Sequence, residues 1–216
     1  MQKKLYMQFA ASCTLVVLAF LTYVVKFYPS WLYSFDTTIT TRIRNLYPTW
    51  TSFFLWITKF GNTVSIVIIT SAIVFLLFQG KKYVDAIWLT INVVCIGTII
   101  NPLLKLLIQR QRPTLTHLVI ESSYSFPSGH AAASLILYGS LLLLTPLFIQ
   151  SKTLKICLQL LLVFLILIIG ISRIYLGVHF PTDIIAGYCV STAWLLFSYP
   201  YFRKQRLIWI MQKKQL

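Results

Sequence analysis

The sequence predicts an all-α, polytopic membrane protein, a bundle of six transmembrane helices with a short amphipathic helix on its outer surface. Three observations carry that expectation. Of the 216 residues, 58% are hydrophobic and only 11% are charged, and the mean hydropathy is +0.79, which lies outside the range of ordinary soluble domains. The apolar residues gather into six runs, each near the length of about 20 residues that a hydrocarbon core about 30 Å thick demands of a helix. The basic residues sit mostly between these runs or at their ends.

The first run, about 6–27, follows Gln2-Lys3-Lys4 and has no small-residue cleavage site near Tyr28-Pro29, so it reads as a retained helix and not as a secretory signal. Beyond it Leu32, Phe35, Ile39, Ile43 and Leu46 recur at three- and four-residue steps. With Asp36 placed as an N-cap and Pro48 past the end, this is the pattern of an amphipathic helix lying on the membrane surface. Runs at about 62–79 and 84–108 follow. Asn101-Pro102 interrupts the second of them, and proline there kinks or weakens the helix one turn before Lys105. Runs at about 130–149, 154–174 and 182–202 complete the set, and no Pro/Gly/Ser-rich linker, low-complexity tract or repeat divides them. Residues 1–216 therefore read as a single transmembrane domain.

A net charge of +15 would suggest nucleic acid in a soluble chain, but in a membrane protein the cations are counted loop by loop. Under an alternating six-helix topology Lys3, Lys4, Lys81, Lys82, Lys152, Lys155, Arg203, Lys204, Arg206, Lys213 and Lys214 share one side, 11 of the 19. Positive-inside bias then places both termini in the cytoplasm, with the excess charge a collar facing anionic headgroups and no nucleic acid as partner. Cys13, Cys95, Cys157 and Cys189 all fall within runs and read as small packing residues.

The polar chemistry gathers at the opposite, outer ends of the helices. Lys105 and Arg112 are seven residues apart, two turns, and share a face if the helix persists to the residue before Pro113. Gln109 and Arg110 then point elsewhere. Pro127-Ser128-Gly129-His130 stands just before the fourth run. Ser128 can cap there, and the first backbone N–H groups lack helical partners, so that Gly129 and the helix dipole suit the position to phosphate oxygens. Ser172-Arg173 closes the fifth run, and His179 precedes a helix with Pro181 at its first position and Asp183 near its third. From there the carboxylate can reach back to the imidazole. The chain has only four acidic residues, Asp36, Asp85, Glu121 and Asp183, so this placement is informative. Phosphate-ester cleavage needs a nucleophile, a proton for the leaving oxygen and positive charge around the remaining oxygens. Residue types for all three are present, although spacing alone leaves open which histidine does what.

In order and in internal spacing, Lys105-(six residues)-Arg112-Pro113, Pro127-Ser128-Gly129-His130 and Ser172-Arg173-(five residues)-His179-(three residues)-Asp183 resemble the signature of the type-2 phosphatidic acid phosphatase superfamily. The resemblance spans about Lys105 to Asp183 by motif and most of the chain by its hydrophobic segments, and is nearest to the small six-span bacterial lipid phosphatases. It implies His179 as the nucleophile that forms a phosphohistidine, Asp183 as its hydrogen-bond partner and His130 as general acid. It also implies that Lys105, Arg112, Arg173, Ser128 and Gly129 hold the phosphoryl oxygens. It implies a bacterial plasma membrane enzyme acting at the outer face on a lipid phosphate, undecaprenyl diphosphate or phosphatidylglycerophosphate. No metal is expected, since no carboxylate cluster or zinc-like histidine spacing is present, and no cofactor. A lipid phosphotransferase using the same intermediate and a non-catalytic lipid-binding or transport relative are the alternative readings. His117 and Glu121 lie in the 114–126 loop, where His117 reads as an exposed loop residue, the alternative being that the loop contacts the substrate headgroup.

Overall fold

The computed structural model describes residues 2–213; of the basic residues counted above, Lys214 lies outside them. The described residues are helical with loops between, and contain no strand. In chain order the helices are α1 (Gln2–Phe27), α2 (Ser30–Arg44), α3 (Thr51–Ile57), α4 (Thr63–Gln79), α5 (Tyr83–Val94), α6 (Asn101–Ile108), α7 (Gly129–Phe148), α8 (Lys152–Tyr175) and α9 (Pro181–Lys213). A tight turn at Thr58–Gly61 extends α3, and a π-helical stretch at Cys95–Ile100 joins α5 to α6.

All six apolar runs are helical, but their capacity to cross a membrane is uneven. Lys4–Phe27, Tyr83–Ile108, Gly129–Phe148 and Lys152–Tyr175 are long and apolar enough on their own, and Thr51–Gly61 with Thr63–Gln79, bent by 52°, makes a fifth if counted as one. The sixth run lies in α9, which at 33 residues has ample length. Its first half, however, buries Thr182, Asp183 and Ser191, and these lower its hydropathy. The polar side of α9 faces the bundle, where α1 and α7 pack along it. The core is continuous through Ile57, Leu89, Leu137, Ile169 and Tyr175 on one flank and Trp88, Ile96, Ile136 and Leu195 on the other.

Polar contacts also fix the half of the bundle away from the motif strings. Buried Asn92 of α5 donates to Ser140 Oγ of α7 (3.0 Å) and accepts from Trp194 Nε1 of α9 (2.9 Å). Such interhelical bonds are worth about 0.6 kcal/mol each in a bilayer. Arg206 Nε meets the buried Asp85 carboxylate at 2.9 Å, a pair whose value lies in the several kcal/mol that one buried partner alone would cost.

Four local expectations are corrected. Asp36 is not an N-cap: α2 begins six residues earlier, at Ser30, and Asp36 is buried in mid-helix. The helix carrying Lys105 stops at Ile108, where Gln109 adopts a left-handed conformation (φ 57°) and bonds back to the Lys105 carbonyl. Arg112 therefore reaches the Lys105 side of the bundle by a chain reversal and not along a shared helical face. The irregularity expected at Pro102 lies one turn earlier, in the π-helical stretch that runs without a break into α6 and Pro102. The cysteines are free, Cys13 and Cys157 exposed on the outside of the bundle and Cys95 and Cys189 half-buried, so the first two are not packing residues.

Candidate active site

The three motif strings converge at one end of the bundle because the starts of α7 and α9 touch. Ser128 Oγ accepts from Ala131 N, capping α7 as expected, and Ser128 N donates to the Asp183 carbonyl (3.0 Å). A Cβ on Gly187 would stand 2.7 Å from the Ser128 carbonyl oxygen, so only glycine lets α9 lie this close to the Pro-Ser-Gly-His turn. At the end of α8, Gly177 (φ +76°) turns the chain so that His179 precedes α9.

Asp183 is fully buried, and its two oxygens are divided between two sets of donors. Oδ2 faces His179 Nδ1 (3.3 Å) and accepts from Phe180 N (2.9 Å) and from Ser125 Oγ. Oδ1 accepts from Arg110 Nη1 (2.6 Å). With Nδ1 on the carboxylate, His179 Nε2 is directed toward the cations and lies 3.4 Å from Arg112 Nη1. Burial pushes the His179 imidazole down to about 4, the hydrogen bond and charge of Asp183 pull it up, and Arg173 and Arg112 push it down again. At neutral pH the ring is therefore uncharged, the state a nucleophile requires.

The cations are held by backbone and loop. Arg112 donates to the Ser123 carbonyl (2.8 Å) and the Val178 carbonyl (2.7 Å). Lys105 Nζ donates to the Tyr124 carbonyl and lies 3.4 Å from Ser123 Oγ. Arg173, 1% exposed, donates to Thr58 Oγ1 (2.9 Å), while its Nε finds no hydrogen-bond partner among the described residues. Glu121 spans the group: Oε1 accepts from Arg173, and Oε2 faces Arg112 Nη2 at 3.4 Å. The loop glutamate thus sits where two of the three cations point. His117 is exposed, with Nε2 2.8 Å from the Pro113 carbonyl.

Lys105, Arg112, Gly129, His130 and His179 line one cavity of about 400 Å³. The same cavity continues between Ile66 and Val67 of α4 and Val93, Ile96 and Gly97 on the other side. The cleft forms because α4 packs chiefly on α5 and far less along the π-helical stretch and α6. A second cavity of about 630 Å³ lies outside it, with Lys105, Arg112, Glu121 and Ser123 in the wall between.

Three residues at this end escape sequence reasoning. Arg110, expected to point away, bridges Asp183 to Asp36, with Nη2 2.8 Å from Asp36 Oδ2. Asp36 in turn accepts from Thr182 N (3.0 Å) and Thr182 Oγ1 (2.8 Å). Ser125 meets Asp183 as described. No local pattern flags them, since their partners lie 58 to 146 residues away.

A family model described as the PAP2 superfamily matches residues 86–207. Phosphatidylglycerophosphatase B of Bacillus subtilis (strain 168) is 43% identical over 101 residues, 46% of this chain and 48% of that protein, so the chain spans about half the length of this curated relative. Among solved structures, the transmembrane PAP2 type phosphatidylglycerolphosphate phosphatase from Bacillus subtilis shares the fold with a TM-score of 0.78, over 90% of this chain and 96% of that one at 24% identity. Aquifex aeolicus LpxE gives 0.58 over 76% and 96% at 23% identity.

Proposed function

The chain belongs to the PAP2 superfamily, and from that membership and the geometry above we propose that it is a single-domain bacterial membrane phosphatase that hydrolyses a lipid phosphate through a phosphohistidine. One observation carries the lipid assignment. The cavity holding both motif histidines continues into an apolar cleft between α4 and the end of α5 with the π-helical stretch that follows it, so a phosphate placed among the cations can keep its tail among hydrocarbon.

His179 Nε2 attacks phosphorus, and the bond to the leaving oxygen breaks as His130 protonates it. Asp183 accepts the hydrogen bond from Nδ1–H and stabilises the imidazolium as it forms. Lys105, Arg112 and Arg173, with Ser128 and the free amides at the start of α7, hold the other phosphoryl oxygens. The phosphate takes over Arg112 and Arg173 from Glu121 and supplies an acceptor for Arg173 Nε. Water then attacks the phosphohistidine, with His130 as base, and releases inorganic phosphate. Three protein cations do the charge stabilisation that Mg²⁺ provides in many phosphoryl transfers. Phosphatidylglycerophosphate, the substrate in the Bacillus relative's name, and undecaprenyl diphosphate are the prime candidates.

The test is phosphate release by detergent-solubilised protein from a panel of lipid phosphates in EDTA. Release is expected to survive chelation, to fall with vanadate and to favour long-chain lipid phosphates over sugar phosphates. Dependence on added Mg²⁺ would overturn the metal-free chemistry. Preference for a soluble ester would overturn the lipid assignment, and transfer of phosphate to a second lipid would make the protein a phosphotransferase.

Sidedness has its own test. The charge distribution supports cytoplasmic termini and an outer-face site. A membrane-impermeant thiol reagent applied to spheroplasts of a variant without native cysteines is expected to label a cysteine placed in the 114–126 loop and to miss one beside Lys81. The reverse pattern would move the site to the cytoplasmic leaflet.

A further inference from the structure

We propose that Asp36 and Arg110, which lie outside all three motif strings, are positioning residues for His179, acting through Asp183; the inference rests on the phosphatase reading above. Asp36 is 3% exposed and stands in mid-α2. Its Oδ1 accepts from Thr182 N at 3.0 Å, one of the first-turn amides of α9 that have no partner within their own helix. A carboxylate from the surface helix thus does for α9 what an N-cap residue ordinarily does, and the capped turn is the one that bears Asp183.

Asp36 Oδ2 accepts from Thr182 Oγ1 (2.8 Å) and from Arg110 Nη2 (2.8 Å). Arg110 passes the connection on, with Nη1 on Asp183 Oδ1 at 2.6 Å and its guanidinium 4.0 Å from the centre of the Phe180 ring. The division of Asp183's oxygens gives this chain its purpose. Oδ2 serves His179, Phe180 N and Ser125, and the Arg110 bond to Oδ1 stops the carboxylate from rotating. A carboxylate free to rotate would no longer aim Nδ1, and with it the attacking Nε2. Misalignment of about 1 Å at a reacting atom can cost a hundredfold in rate. Two elements that never touch the phosphate, α2 and the turn after α6, are in this way joined to the nucleophile.

The test compares full-length, detergent-solubilised variants by kcat and KM for a lipid phosphate, vanadate Ki and melting temperature. Asp36→Asn keeps the size and an acceptor for Thr182 but removes the anion that Arg110 pairs with. It is expected to lower kcat about 10- to 100-fold while KM and vanadate Ki stay within about threefold of wild type. Arg110→Lys should retain more kcat than Arg110→Gln, and adding Asp36→Asn to Arg110→Gln should cost nothing further, as for residues in one connected path. Asp85→Asn, which breaks the buried pair at the far end of the bundle, is the structural control: it should lower the melting temperature and leave kcat within about twofold. The proposal is overturned if Asp36→Asn leaves kcat within about twofold of wild type, or if its loss of kcat is matched by loss of vanadate affinity and melting temperature as in a purely structural role. Wild-type protein that releases no phosphate from any lipid phosphate would instead overturn the phosphatase reading itself.

Discussion

His179→Ala is expected to lower phosphate release from a lipid phosphate by about 10⁴-fold or more, as removal of a nucleophile does elsewhere, while the protein stays folded. Folding survives because His179 is one of several groups that hold Asp183. Phe180 N, Ser125 and Arg110 remain on the carboxylate when the imidazole is gone, so the buried charge is not orphaned. The rate should not survive, because the carboxylate left nearest the vacated position, Asp183, stays engaged by Arg110, Ser125 and Phe180 N. Melting temperature in detergent should stay close to wild type, and acid-labile ³²P trapped on wild-type protein during turnover should vanish in the variant. Near-normal turnover would end the covalent mechanism. The low position of His179, about 4, adds a pH signature. An imidazole with a depressed pKa is neutral above that value, so kcat/KM should lose activity to His179 protonation only as the pH falls toward 4.

His130→Ala is the second large effect, about 10²- to 10⁴-fold on a lipid phosphate, the range general acids contribute. Its diagnostic feature is dependence on the leaving group. The alkoxide that leaves from a monoester such as phosphatidylglycerophosphate needs a proton; a nitrophenolate does not. Loss on p-nitrophenyl phosphate should therefore be smaller by at least about tenfold than loss on the lipid. Equal losses on both substrates would mean that His130 binds phosphate and does not supply a proton.

The residues proposed to bear the chemistry could be picked out because their setting is local. A helix start, a helix end and a four-residue step from His179 to Asp183 can all be read along the chain. What resisted reading was set through space. Arg110 read as a charge turned away from the site because α6 was extended to Arg112, and Pro113 marks only the latest point at which a helix can stop. The actual stop is a left-handed Gln109, a residue type that does not advertise that conformation as glycine does. Asp36 read as an N-cap because aspartate commonly serves there, and it does cap a helix, though α9 and not its own. Glu121 and Ser125 sit in a loop without periodicity, where only the packed bundle brings them to Arg173 and Asp183. The six runs were legible as helices. Their number as membrane crossings was less so, since hydropathy averages over faces and α9 hides its polar one.

That hidden face has a consequence for biogenesis. A segment entering the bilayer from the translocon is judged by its own apolarity, and a charged residue at mid-helix costs about 2.5 to 3.5 kcal/mol by that measure, less near an end. Helix α9 brings Asp183 and Thr182 at its start and Ser191 further in, and its run alone falls short where α7 and α8 succeed. Its partners for those groups, Asp36, Arg110 and the Ala132 carbonyl that Ser191 bonds at 2.8 Å, are all translated earlier. Helix α9 is therefore expected to settle most readily against the helices that supply those partners. Integration of Asp183, the carboxylate proposed to serve His179, should then depend on correct placement of the helices before it.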